Sequence, residues 1–322
     1  MYRFTTPLRP LVTAAIAVTL LLAAGCHRTD VRSSLAAQSF LDGNSQPTML
    51  AAYLPWFGQP GHINVGYSSQ DRVVIEKQID QAKQLGISAF VVNWYGSGHA
   101  FEDKAYALMQ QVAAEKSFKI AILYDESDSD PANETADIIN DLQYAYEHYI
   151  GPHAAAREAY LTYQDRPMVF IFPKGGRVDW NRVRATVNGW ESPPLLIDKD
   201  IRPDLANVFD GFYAWINPGK QGWQPDGGNW GQTYLDNFYK TMLTEYPNKI
   251  AVGAAWPGFN DTNASWSQNR KMNARCGRTF VDTMRVFRRY YDQQHPLPFL
   301  MIETWNDYEE GSAIERGVDN CK

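Results

Sequence analysis

Five carboxylates stand within thirteen residues near the end of a 322-residue chain: Glu303, Asp307, Glu309, Glu310 and Glu315, with Trp305, Asn306 and Tyr308 among them. Like charges repel, and burial raises a carboxyl's affinity for its proton. Such crowding costs stability unless chemistry uses it. Cleavage of a glycosidic bond is chemistry that needs two carboxyls together, one as acid and one as base or nucleophile. Asp307 and Glu310 are the main candidate pair. Residues three apart on an ideal strand face opposite sides. Both therefore reach one cavity only if the chain turns after Trp305, and Gly311-Ser312 supply the chemistry of a turn. Glu303 lies in the preceding apolar run, as a buried paired acid or an inward-pointing one. Glu315 reads as a tail or rim residue.

The elements that must position this pair alternate along the chain. Apolar, strand-like runs occupy 49–57, 87–96, 118–126, 166–173, 194–200, 211–217, 249–259 and 298–305. Between them, residues 73–86, 102–117, 134–151, 179–190, 202–209, 229–248 and 277–294 carry helical spacing, with Gly86 as a C-cap and Asp179 as an N-cap. Strand–helix alternation implies a parallel sheet, and nearly continuous apolar strands imply cover on both faces. Eight such units predict a single-domain (β/α)₈ TIM barrel over residues 48–322, its last helix short or missing. The rival, a doubly wound open sheet, wants a glycine fingerprint after the first strand, and none is there.

A barrel of this kind carries its site at the C-terminal ends of its strands. Five of the eight ends carry tryptophan: Trp56, Trp94, Trp215, Trp256 and Trp305. Acids follow three ends: Asp125 and Glu126, then Asp198 and Asp200, then the Asp307–Glu310 group. With Asn93, Tyr95, Asn306 and Tyr308, these residues predict an acidic floor with aromatic walls. Aromatic faces stack on sugar rings, and amides and phenols hydrogen-bond their hydroxyls. Singly, any of these tryptophans could simply pack under a loop; as a set they point to an oligo- or polysaccharide. Asp128 and Asp130 read as exposed loop acids, and Lys174 beside Gly175-Gly176 as a solvated loop lysine rather than a Schiff-base former.

Composition narrows the alternatives. The net charge of −6, with no long basic run, argues against nucleic acid. His27, His62, His99, His148, His153 and His295 show neither His-x-His nor His-Glu-x-x-His spacing, so no metal is expected. Arg3 and Arg9 precede the apolar run that ends in "LAAGC", which reads as a lipoprotein signal peptide over residues 1–25 with Cys26 as the lipidated residue. Residues 26–47 then form a polar tether, and the membrane is met only through the N-terminal lipid. The protein is expected to be exported and anchored, or else secreted. That compartment permits a disulfide between Cys276 and Cys321, against the alternative of two free thiols.

The run "TWNDYEEG" resembles the signature of glycoside hydrolase families 71 and 99. "YLPWFG", "QAKQLGISAFVVNWYG" and "AAWPGF" extend the resemblance over most of residues 49–321. It implies a retaining, endo-acting hydrolase of α-linked glycans, α-mannan or α-glucan, on a (β/α)₈ barrel without a cofactor. In family 99 two glutamates of the motif fall on Asp307 and Glu310. The first acts as base on the sugar 2-hydroxyl, and the second protonates the leaving oxygen. Here Asp307 is shorter than glutamate and Glu309 replaces histidine, so the pair of roles carries over and neither family's substrate does. Glu310 is then the expected acid and Asp307 the ionised partner, with Asp125 and Glu126 orienting substrate or taking one of the roles. A glycan-binding lipoprotein without turnover would keep the same aromatics; release of reducing ends separates the two.

Overall fold

The computed structural model describes residues 46–126, 133–174, 177–218, 230–318 and 321. The signal peptide, Cys26, nearly all of the tether, Asp128 and Asp130 lie outside them.

Eight strands form the sheet: β1 (Thr48–Tyr53), β2 (Ala89–Trp94), β3 (Lys119–Asp125), β4 (Arg166–Phe172), β5 (Leu195–Lys199), β6 (Gly211–Tyr213), β7 (Ile250–Ala255) and β8 (Phe299–Ile302). All eight pair in parallel, β8 beside β1, and β3 pairs with β4 from Ile122↔Val169 to Asp125↔Phe172. That last pairing closes the ring. Closure leaves no edge among the eight, and each strand is buried on both faces because side chains fill the inside while helices cover the outside. β2 is buried along its whole length. A two-residue strand, Thr162–Tyr163, adds antiparallel to the start of β4.

Among the described residues, six α-helices pack outside: α1 (Arg72–Gln84), α2 (Ala100–Glu115), α3 (Glu134–Ala145), α4 (Trp180–Asn188), α5 (Gln232–Glu245) and α6 (Arg278–Val286). Asp71 caps α1 by accepting from the Val73 amide, and Asp179 caps α4 by accepting from the Arg182 amide. Gly86 leaves α1 with φ of +78°, where a side chain would be strained. Residues 202–209, expected to be helical, form only a 3₁₀ turn at Pro203–Leu205. Val208 and Phe209 must drop into the core there, and Arg184 takes the Val208 carbonyl that a helix would have used. The last helix is shorter than expected, ending through a 3₁₀ turn at Phe287–Arg289.

Among the described residues, no helix follows β8. The chain turns back over the strand end instead: the Ile314 and Glu315 amides donate to the Trp305 carbonyl at 3.0 and 2.9 Å. Farther on, Cys321 is joined by a disulfide to Cys276, just ahead of α6, with their Cα atoms 4.9 Å apart. The bridge closes a loop across a sequence separation of 45 residues. Replacing Cys276 with serine is expected to lower stability by about 2–4 kcal/mol. A denaturant midpoint unchanged between oxidised wild type and Cys276→Ser would contradict this.

Candidate active site

The site is built where β8 ends. Trp305 turns inward, wholly buried, its ring 5.2 Å from Phe90. Asn306 acts as a clip to β1: it accepts from the Leu54 amide at 2.8 Å and donates to the Leu54 carbonyl at 2.9 Å. The chain then turns. The Thr304 hydroxyl accepts from the Asp307 amide at 2.7 Å, and Asp307 Oδ1 accepts from the Glu310 amide at 2.8 Å. Gly311, with φ of +63°, completes the turn against the Asn260 backbone. The turn brings the two carboxylates to one place.

Asp307 and Glu310 line the same cleft, about 360 Å³ in volume, at the C-terminal mouth of the barrel. Trp56, Tyr95, Phe172, Trp215 and Trp266 supply its aromatic surface; Asn93, His62, His99, Glu102, Asp125 and Lys174 supply its polar one. Burial pushes the Asp307 carboxyl well above the usual carboxylate range, and the neighbouring Glu310 and Glu309 push the same way. Glu310 is raised too, first by burial, while the Trp266 indole and Arg270 pull against that rise. Burial and the neighbouring acids thus work against the ionised form of Asp307 expected from sequence. Two carboxyls this close titrate as a unit.

Each strand end contributes differently. Trp56, after β1, stacks on His62 with ring centres 4.7 Å apart and planes 8° from parallel. Glu309 faces away from the cleft and holds this loop, accepting from Ile63 N at 3.1 Å while His62 Nδ1 lies 2.9 Å from its other oxygen. After β2, Asn93 Nδ2 reaches the Tyr95 hydroxyl at 3.4 Å, and the buried Asn93 Oδ1 has no hydrogen-bond partner. Asp125 stands 3.6 Å from Lys174 Nζ. Glu126 accepts from the Lys174 amide at 3.0 Å and lies outside the cleft lining. Burial raises it to about 7. After β6, Trp215 lines the cleft beside Ile216, whose amide donates to the wholly buried Glu303. Glu303 is thus the brace under that wall, and burial holds its carboxyl well above the ordinary range.

Several residues expected to touch substrate do not reach the cleft. Trp94 points outward to donate to Asp103 at 3.0 Å, and Trp256 donates to the Trp230 carbonyl at 3.1 Å. Trp305 and Asn306 are consumed by the core and the β1 clip. Tyr308 turns to the tail, donating to Glu315 at 2.6 Å beside Tyr67, which donates to the same oxygen at 2.9 Å. At a strand end only alternate residues face the axis, and a large ring on the other face, as at Trp94, is worth more buried than wet. Conversely, His62, His99, Glu102 and Trp266 line the cleft from loops and a helix start. The aromatic and histidine content of those loops was the only signal available. Among the described residues, no group of three His, Cys, Asp or Glu side chains is placed to hold a metal ion.

An aromatic cleft holding a carboxylate pair, at the C-terminal mouth of a closed eight-stranded barrel, is the architecture of a barrel glycoside hydrolase. The profile described as "Glycosyl hydrolase family 71" matches residues 62–316, and the chain belongs to that family. Curated relatives include the human "Glycoprotein endo-alpha-1,2-mannosidase-like protein", 22% identical over 271 residues, covering 78% of this chain and 56% of its own length. The mouse "Glycoprotein endo-alpha-1,2-mannosidase" is 23% identical over 279 residues, with 78% and 55% covered. The chain thus spans about half the length of these relatives. Among solved structures, the GH99 endo-alpha-mannosidase of Bacteroides thetaiotaomicron shares the fold, with a TM-score of 0.64, 17% identity, and 83% of this chain and 87% of that one covered.

The buried acid of the turn carries a stability cost with a definite sign. A carboxyl raised on folding favours the folded state at low pH and loses that contribution as pH rises from its unfolded range towards its folded value. Asp307→Asn is therefore expected to stabilise the fold increasingly above about pH 4, with no gain below it. Thermal melts of both proteins across pH 3.5–8 test this; a difference that shrinks with rising pH would contradict it.

Proposed function

We propose that the protein is a retaining, endo-acting glycosidase of α-linked glycans, α-mannan before α-glucan, with Glu310 as general acid and Asp307 as base. The observation that carries the reading is the convergence of those two carboxyls on one cleft with Trp56, Tyr95 and Trp215 around it. The names of the mannosidase relatives favour mannan. The Asn-Asp-Tyr run, nearer to family 71, keeps glucan second.

The chemistry runs in two steps. Asp307 takes the proton of the sugar 2-hydroxyl while that oxygen bonds to the anomeric carbon. The bond to the leaving oxygen breaks, and Glu310 protonates it. Water then opens the anhydro-sugar: Glu310 takes the water's proton and Asp307 returns its own to the 2-oxygen. Two inversions give net retention. A carboxyl with raised proton affinity suits the base role, since a base works best when its pKa nears the working pH. A 2-hydroxyl donating into Asp307 stabilises the carboxylate there and leaves the proton of the pair to Glu310. Asp125, braced by Lys174, and Asn93, with its unsatisfied oxygen, orient hydroxyls; Trp56, Tyr95 and Trp215 supply the stacking surface. Glu126, outside the lining, is left a structural part.

The workplace we infer is outside the cytoplasm, with lipid on Cys26. The "LAAGC" run supports this, as does a disulfide of the kind an oxidising compartment maintains.

The test is a screen of the domain from residue 46 onward against α-mannans and α-1,3- and α-1,4-glucans, with products read by mass and their anomeric form by proton NMR. Internal cleavage with retention is expected, and Asp307→Asn and Glu310→Gln should each lose about a hundredfold or more. Either variant within about threefold of wild type would overturn its assigned role.

A further inference from the structure

The hairpin after β7 shapes the site without giving it a carboxyl. Its two short strands, Phe259–Asn260 and Lys271–Met272, pair antiparallel. Between them, Asp261 is wholly buried. It accepts four hydrogen bonds: from Ser267 Oγ at 3.2 Å, the Gln268 amide at 3.1 Å, the Arg270 amide at 2.7 Å and Arg270 Nε at 2.6 Å. Burial pushes its carboxyl up, but the guanidinium and amides outweigh burial and hold it below the ordinary range. A carboxylate so satisfied fixes the loop around it.

The fixed loop delivers two donors to one atom. Trp266 Nε1 donates to Glu310 Oε1 at 2.9 Å, and Arg270 Nη2 lies 3.6 Å from the same oxygen. The backbone is tied as well, since the Asn260 amide donates to the Glu310 carbonyl at 2.7 Å. Trp266 is 40% exposed, and its ring stands edge-on to Trp56 at 5.8 Å. With Oε1 held twice, Oε2 is the oxygen left for a proton in transit.

We propose that Trp266 and Arg270 are the positioning pair of the general acid: they hold the non-reacting oxygen of Glu310, aim Oε2 into the cleft and stabilise the carboxylate left when the proton departs. The inference rests on Glu310 being the acid of the proposed reaction. As the glycosidic bond breaks, the Oε2–H bond breaks too and its proton bonds to the leaving oxygen. The electron pair stays on Glu310, where the indole N–H and the guanidinium charge meet it. Donors already in place when charge appears need no reorganisation then. Both contacts favour the ionised form, so they make Glu310 a stronger acid. The other charged groups facing it are Asp307 from its own turn, Asp261 from the hairpin and Lys174 from the end of β4. Asp125 and Glu102 lie across the cleft, with His62 and His99 on its wall.

Carbon-13 NMR of the Glu310 carboxyl, assigned by its loss in Glu310→Gln, reads the hold directly and needs no turnover. Trp266→Phe keeps the ring and removes the N–H; Arg270→Gln removes the charge. Each is expected to raise the Glu310 midpoint by about one pH unit, a tenfold change in proton affinity. The alkaline limb of kcat/KM should extend by the same amount. On the natural glycan kcat should fall about tenfold, and on a dinitrophenyl glycoside, whose leaving group needs no proton, by less than about twofold. Arg270→Lys should recover part of the loss. Midpoints unmoved in both variants, or equal losses on both substrates, would overturn the proposal. Midpoints that shift in the variants while the wild type hydrolyses nothing would remove the hydrolase reading while still supporting the hairpin's grip on Glu310.

Discussion

The contact on which the site depends is the Asp307 carboxyl accepting the amide of Glu310 across a tight turn. An extended chain would have put these two acids on opposite faces. The turn puts them on one, and the same hydrogen bond fixes the orientation of the first carboxyl and the backbone of the second. Its cost is the burial of two groups that would each be more stable in water. The surroundings offset part of it: the Thr304 hydroxyl takes the Asp307 amide, and Trp266 and Arg270 meet Glu310. Everything else near the mouth holds that turn, or the loops opposite it, in place.

The eight-residue motif thus divides its labour. Asp307 and Glu310 line the cleft, and other members are fasteners. Asn306 imitates a strand partner for Leu54, Tyr308 reaches back to the tail, and Glu309 grips the loop that carries His62. Glu303, one step earlier, braces the wall that bears Trp215. A crowd of acids is tolerable because only two of the five share the cleft and the others each have a dedicated donor.

Much of this was legible in the sequence. The strand–helix alternation and the unbroken apolar strands fixed the barrel, because burial on both faces leaves a compositional trace. The acids after β8 and the Gly311-Ser312 turn were visible for the same reason: charge next to an apolar run is rare. Hidden was the direction of each ring. Trp94, Trp256 and Trp305 stand at strand ends as Trp56 and Trp215 do, but their indoles are buried away from the cleft. The hairpin after β7 was also invisible, because its value lies in Asp261 satisfying four donors within ten residues, a pattern of geometry with no periodicity. The short 3₁₀ turn at Pro203–Leu205 passed for a helix since its apolar residues obey helical spacing and are buried for another reason.

The segment that follows β8 has a bearing on how the molecule is made. Glu315 collects Tyr67, Gln78 and Tyr308, and Asn306 closes on Leu54, so the mouth is sewn together by partners up to 252 positions apart. Contacts between such distant parts of a chain form late, after the entropy of closing the intervening loop has been met. The barrel's first strand must wait for its last to complete its pairing. A nascent chain still short of residue 315 lacks the carboxylate that ties Tyr67 and Gln78 across the mouth.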